Sequence, residues 1–153
     1  MATKHKGTTR ETTALDAFIR LNRATESLAA LVGARVARRN LTIGQFGALE
    51  ALYHVGPMCQ KALGGKILRS GGNITMIVNN LEKAKLAKRV HCATDKRMYE
   101  IHLTPKGKRL IKTLFPVVLE TIVEGMSALT MKDQKTLGEM CKRLGLPVRE
   151  ACN

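Results

Sequence analysis

Residues 67–103, which read ILRSGGNITMIVNNLEKAKLAKRVHCATDKRMYEIHL, constrain this chain most, because an amphipathic helix, a strand, a basic turn and a second strand follow without a gap. Ile74, Ile77, Val78 and Leu81 fall at i, i+3, i+4 and i+7 and form one apolar stripe. Thr75, Met76, Asn79, Asn80 and Lys83 take the opposite face, and Ser70, Gly71, Gly72 and Asn73 supply capping residues ahead of the helix. Residues 87–92 and 98–103 have strand character, with Tyr99, Ile101 and Leu103 on one face by period two, and the turn 93–97 between them is polar and basic. This order predicts a helix suited to a major groove with a β-hairpin wing beside it, and hence a partner in double-stranded DNA.

The charge distribution points the same way. Residues 60–112 hold thirteen Lys and Arg against three Asp and Glu, whereas residues 113–153 hold five of each, so the net charge of +14 is concentrated in one block. A local excess of this size implies one surface aimed at a polyanion and exceeds what solubility requires. An anionic membrane would suit a long basic amphipathic helix better than this alternation of strand and turn signals. No apolar run approaches the ~18 residues of a membrane span, and the polar opening MATKHKGTTRETT lacks the apolar core of a signal peptide, so no membrane role and a cytoplasmic location are expected.

The rest of the chain reads as helix around that block, giving a mainly α (α+β) protein. After a tail of about ten residues, 11–39 contains no proline and carries Leu15, Phe18, Leu21, Leu28, Leu31, Val32 and Val36 near helical spacing. Thr42 with Gln45 forms a capping-box pattern and opens a second helix that Gly56-Pro57 stops; residues 60–67 make a short third. Thr104 followed by Pro105 starts a helix that runs toward Met126 with a bend expected at Pro116, and Thr130 with Asp133 starts a last one ending near Leu144. The apolar residues of 110–123 cover more than one narrow stripe, more surface than one subunit readily buries, and a symmetric partner is the usual solution.

Four motifs in sequence carry a family resemblance: L-T-x-x-Q-F at residues 41–46, T-x-x-V-x-x-L-E at 75–82, the acidic-basic-basic wing at 95–97, and L-T-P-K-G at 103–107. In this order and spacing the chain resembles the MarR family of bacterial winged helix-turn-helix regulators, closely over about residues 41–112. The resemblance implies a single domain over residues 1–153, with a DNA-binding lobe at 41–104 and dimerisation helices at 11–39 and 105–145. It further implies a homodimeric repressor, relieved by a small amphipathic or aromatic effector, that binds a pseudo-palindromic operator.

Carried over by position, residues 70–83 match the recognition helix. The DNA-binding set is then Ser70, Asn73, Thr75, Met76, Asn79 and Asn80 with Lys83 on a phosphate, and Asp95, Lys96 and Arg97 in the wing. Arg97 matches the arginine that enters the minor groove, Asp95 the acid that braces the turn, and Lys96 replaces an arginine as a phosphate contact. Asparagine bridging adenine and a threonine methyl on thymine favour an A·T-containing site. Two departures stand out. Met76 occupies a place where many relatives have arginine, and Lys85 replaces the glycine that usually ends this helix, which predicts a different helix end.

Cys59, Cys92, Cys141 and Cys152 are widely spaced and include no Cys-x-x-Cys pair, so reduced thiols are expected, with neither a zinc site nor a disulfide framework. Cys59 at a helix start and Cys92 beside the wing are the possible redox residues, and K-I-L-R-S-G-G-N-I-T resembles the quinone- and catechol-responsive branch of the family. A thiol-based redox or quinone-sensing regulator is therefore one alternative. His54, His91 and His102 form no i, i+4 ligand pair, and no nucleophile-base pair or phosphate-cradling loop appears, so no metal, cofactor or catalytic site is expected. A basic RNA-binding protein is the other alternative, disfavoured by the scarcity of aromatics for base stacking.

Overall fold

The computed structural model describes residues 4–67, 71–91 and 98–151, and these form six helices and three strands. The helices are α1 (Thr9–Ala37), α2 (Ile43–His54), α3 (Gln60–Lys66), α4 (Gly71–Lys83), α5 (Pro105–Met126) and α6 (Met131–Ala151); the strands are β1 (Met58–Cys59), β2 (Ala87–His91) and β3 (Tyr99–Leu103). This is a winged helix-turn-helix. β3 lies between β1 and β2, antiparallel to both, with Met58 opposite Ile101 and Arg89 opposite the same residue on the other side. A two-residue strand is too short to register as period-two alternation, so β1 is visible only through its ladder.

Side-chain caps set most helix starts. α1 begins two residues earlier than the apolar pattern predicts, because Thr8 and Glu11 close a capping box in which Glu11 accepts from the Thr8 amide and hydroxyl at 2.7 and 2.8 Å. Those bonds hold the Glu11 carboxyl below its ordinary range, so this first turn loses support as pH falls through the lowered value. Thr42 and Gln45 close the expected box on α2, and Thr104 accepts from the Gly107 amide at the start of α5. α4 already includes Asn73, which is a residue of its first turn and not a cap. α5 continues through Pro116 as one helix, and α6 passes Leu144 to reach Ala151, beyond the expected end.

The core lies where α2, α3, α4, β3 and α5 converge. Leu49, Leu63, Leu81, Ile101, Ile111, Val78 and Val118 are its fully buried side chains, with Val36 closing it from the end of α1. On α5 the buried positions Gly107, Ile111, Leu114, Val118 and Thr121 step by four and three, one stripe along the helix. Val117, Leu119, Ile122 and Val123 remain exposed on the other side. α6 is anchored at its start, where Gln134 donates to the carbonyls of Met126 and Leu129, and it leaves Leu137, Met140 and Leu144 exposed. Among the described residues no single helix is long and apolar enough to cross a membrane.

α4 ends in a left-handed cap after all, contrary to the end expected from a lysine at position 85. Lys85 takes φ 59°, its amide donates to Glu82 O at 2.8 Å, and the Leu86 amide reaches back to Leu81 O at 2.9 Å, a Schellman motif with buried Leu81 and Leu86 at the two ends. The strain is tolerated because the start of α5 is latched onto the same turn. The Thr104 hydroxyl donates to Lys85 O at 2.7 Å, the Thr104 amide to Leu86 O at 3.1 Å, and Lys106 Nζ to Ala84 O at 2.9 Å. The T-P-K-G motif is thus a clamp on the carbonyls of residues 84–86, just past the end of α4. Lys85→Gly should raise stability by about 1 kcal/mol, read as a higher denaturant midpoint at unchanged slope, because glycine removes the Cβ penalty of the left-handed region.

Candidate nucleic-acid interface

α4 carries two faces of opposite chemistry. Ile74, Ile77, Val78 and Leu81 are buried against the core, and Thr75, Met76, Asn79, Asn80 and Lys83 are all exposed on the outer side, Met76 at 58%. Asn73 is half-buried at the edge of a cleft of about 270 Å³, where it meets Met76 and Asn80 across from Thr42 and Gln45 at the start of α2. The structure therefore brings Asn73, Thr75, Met76, Asn79, Asn80 and Lys83 onto one helix. Ser70, and Cys92, Asp95, Lys96 and Arg97 of the wing turn, lie outside the described residues.

A polar network ties this helix to the wing. Arg89 on β2 pairs with Glu82, whose other carboxylate oxygen accepts from the Arg89 amide at 2.9 Å. Since β2 is an edge strand, that amide points away from the sheet and finds its acceptor on α4. The second guanidinium nitrogen of Arg89 donates to Gln60 Oε1 at 3.2 Å and to Asn79 Oδ1 at 2.9 Å, and Gln60 Nε2 then donates to Thr75 Oγ1 at 2.8 Å. Thr75 and Asn79, expected only to face bases, are also held from behind.

Arg89, Glu82 and Gln60 were not among the residues expected at the site. One signal for the pair exists in the sequence: Glu82 is one of only three acids in residues 60–112, so a structural partner is more probable for it than for any lysine nearby. Gln60 carries no such signal, because its role depends on where α3 is placed.

Elsewhere His54 meets the Phe115 ring edge-on, His91 lies tilted against the Tyr99 ring and His102 sits beside Glu100 at 3.2 Å. Cys59 is the half-buried N-cap of α3, where its side chain makes no capping hydrogen bond, and Cys141 is exposed on α6. Between α1 and α5 a cleft of about 440 Å³ is lined by Leu31, Arg35, Arg38, Thr121 and Gly125, with Arg35 Nε donating to Thr121 Oγ1 at 3.1 Å.

Residues 39–98 match the family model described as MarR family. Over 139 residues the chain is 34% identical to the HTH-type transcriptional regulator MhqR of Bacillus subtilis, covering 91% of this chain and 96% of that protein. The chain belongs to the MarR family. As a MarR-family protein it is a transcriptional regulator of the DNA-binding winged-helix type.

Solved structures agree with the fold. A probable transcriptional regulator from Pseudomonas aeruginosa, 28% identical, superposes with a TM-score of 0.76 over 84% of this chain and 95% of its own. A MarR family transcriptional regulator from Streptomyces coelicolor, solved in complex with DNA, is 20% identical and superposes with a TM-score of 0.81 over 93% of this chain and 90% of its own. α4 and its left-handed end are both in place with Met76 and Lys85 at these positions.

Proposed function

We propose that this MarR-family protein is a repressor that binds a pseudo-palindromic operator as a homodimer and releases it when a small amphipathic or aromatic molecule binds. The observation that carries the reading is α4 itself: an exposed row of polar side chains on a helix whose other face is locked into the core and whose end is clamped by α5. In this reading residues 41–104 form the DNA-binding lobe, and α1, α5 and α6 form the dimer. Thr75, Met76, Asn79 and Asn80 face bases, Ser70, Asn73, Lys83 and Lys96 serve the backbone, and Arg97, braced by Asp95, enters the minor groove. The block of thirteen basic residues over 60–112 supports it.

Two further features support the dimer and the effector. Phe18 on α1 is 62% exposed and Val123 on α5 61%, and α6 keeps an unburied apolar edge, so a second copy is the natural cover. The cleft between α1 and α5, about 440 Å³ with two arginines and an apolar wall, has the size and mixed lining of a small-molecule site. The test is affinity against salt on a selected duplex and on a scrambled one. Asn79→Ala should cost about 1–3 kcal/mol on the selected duplex and little on the scrambled one, whereas Lys83→Ala should weaken both and reduce the salt slope by about one. Preference for single-stranded RNA over either duplex would overturn the reading.

A further inference from the structure

Asparagine on a recognition helix has two ways to read a base. With carbonyl and amide side by side on the base edge it accepts from adenine N6 and donates to N7; with the amide alone it donates to any acceptor, and guanine and adenine both offer N7. Which way applies depends on what holds the side chain. Arginine has five donors and no acceptor, so any amide group packed on a guanidinium must turn its oxygen toward it. Arg89 does this twice, to Gln60 Oε1 and Asn79 Oδ1, and is itself fixed by Glu82 through both its guanidinium and its backbone amide.

We infer that Arg89 is a positioning residue that sets the hydrogen-bond polarity of the recognition face, so that Asn79 offers DNA its amide donor and reads a purine N7 without distinguishing adenine from guanine. The inference rests on the reading of α4 as the recognition helix. Asn79 Oδ1 is occupied at 2.9 Å, and its Nδ2 has no hydrogen-bond partner among the described residues. Gln60, turned by the same guanidinium, directs its own amide into Thr75 Oγ1, so the threonine oxygen already accepts a bond before DNA arrives. The A·T preference expected from Asn79 by residue type is thereby withdrawn at this position. Because Arg89 lies on β2 and its three partners on α3 and α4, the same bonds also fasten the base of the wing to the helix.

The experiment is selection from a random duplex library with the full chain, followed by affinities on the selected duplex and its single-base-pair variants. Asn79→Ala should reduce discrimination at one base pair per half-site by about fivefold or more. In the wild type, exchanging adenine and guanine at that position should change affinity by less than about threefold, while a pyrimidine should cost about fivefold or more. Arg89→Met should change the preference at that same base pair, although the side chain touches no base, with the salt slope unchanged. Arg89→Lys should behave like Arg89→Met, because a compact ammonium lacks the planar fork whose two separate nitrogens reach Glu82 on one side and Gln60 and Asn79 on the other. Should Arg89→Met fail to fold, as judged by helical circular dichroism, Glu82→Gln loosens the same guanidinium and should alter that base pair alone.

Strict adenine at the Asn79-dependent position in the wild type would overturn the inference, as would full rescue by lysine or a uniform loss of affinity at every position. Asn79→Ala leaving all positions unchanged would overturn it too. A wild type that enriches no duplex motif would instead remove the proposed function.

Discussion

Gly107→Ala should lower stability by about 3 kcal/mol. A methyl at this position would run into the Leu86 carbonyl oxygen and lie 2.9 Å from its carbon, both backbone atoms with no rotamer to relieve the clash. That carbonyl accepts from the Thr104 amide and shares the Thr104 hydroxyl proton with the nearer Lys85 carbonyl, so the first turn of α5 must move off the end of α4. Overpacking of this kind typically costs about 1–3 kcal/mol, and the Thr104 cap on the Gly107 amide, lost with it, about 1 more. Thermal melting should fall by roughly 6–12 °C for a chain of this size. Gly65→Ala is the control: it too lies in a helix but has nothing within 4 Å, so it should be neutral or stabilising by up to about 1 kcal/mol. Equal melting of the two variants would mean that α5 does not sit on the Leu86 turn.

Ile122→Glu with Val123→Glu should convert the proposed dimer to a monomer and weaken binding to a two-half-site duplex by about a hundredfold or more. Both side chains are exposed within one subunit, at 42% and 61%, so the charges cost little inside the chain itself. At a symmetric interface each introduced carboxylate is buried twice, without a partner, and desolvation of that kind is far larger than the apolar gain it replaces. Loss of the dimer removes the second half-site as a tethered contact, and tethering multiplies affinity by about 10²–10⁴. Light scattering and a gel-shift titration read the two effects separately. A variant that stays dimeric would place the interface elsewhere; a monomer that keeps full affinity would remove two-fold recognition.

Much of this protein was legible from local pattern. The apolar stripe of α4, the Thr42 and Gln45 box, the Thr104-Pro105 start and the alternation of β3 are all set by neighbours within about one helical turn or two strand positions, and such signals need no knowledge of the fold. The order of those elements sufficed to suggest a winged helix and the MarR family. Even so, the Thr8 and Glu11 box was hidden by the polar tail in which it sits, and α1 starts earlier for that reason.

What the tertiary structure decided lies where distant segments share atoms. β1 exists because Met58 and Cys59 find β3, some forty residues on. Lys85 keeps a conformation that local sterics disfavour because Thr104 and Lys106, nineteen and twenty-two residues away from the carbonyls they bind, hold the turn. Side-chain direction is the clearest case. Helical periodicity places Thr75 and Asn79 on the outer face, yet which of their atoms faces outward depends on Arg89 and Gln60 arriving from β2 and α3. A residue's type and face are properties of the sequence around it, whereas the polarity of its hydrogen bonds belongs to whichever partner the fold brings within 3 Å.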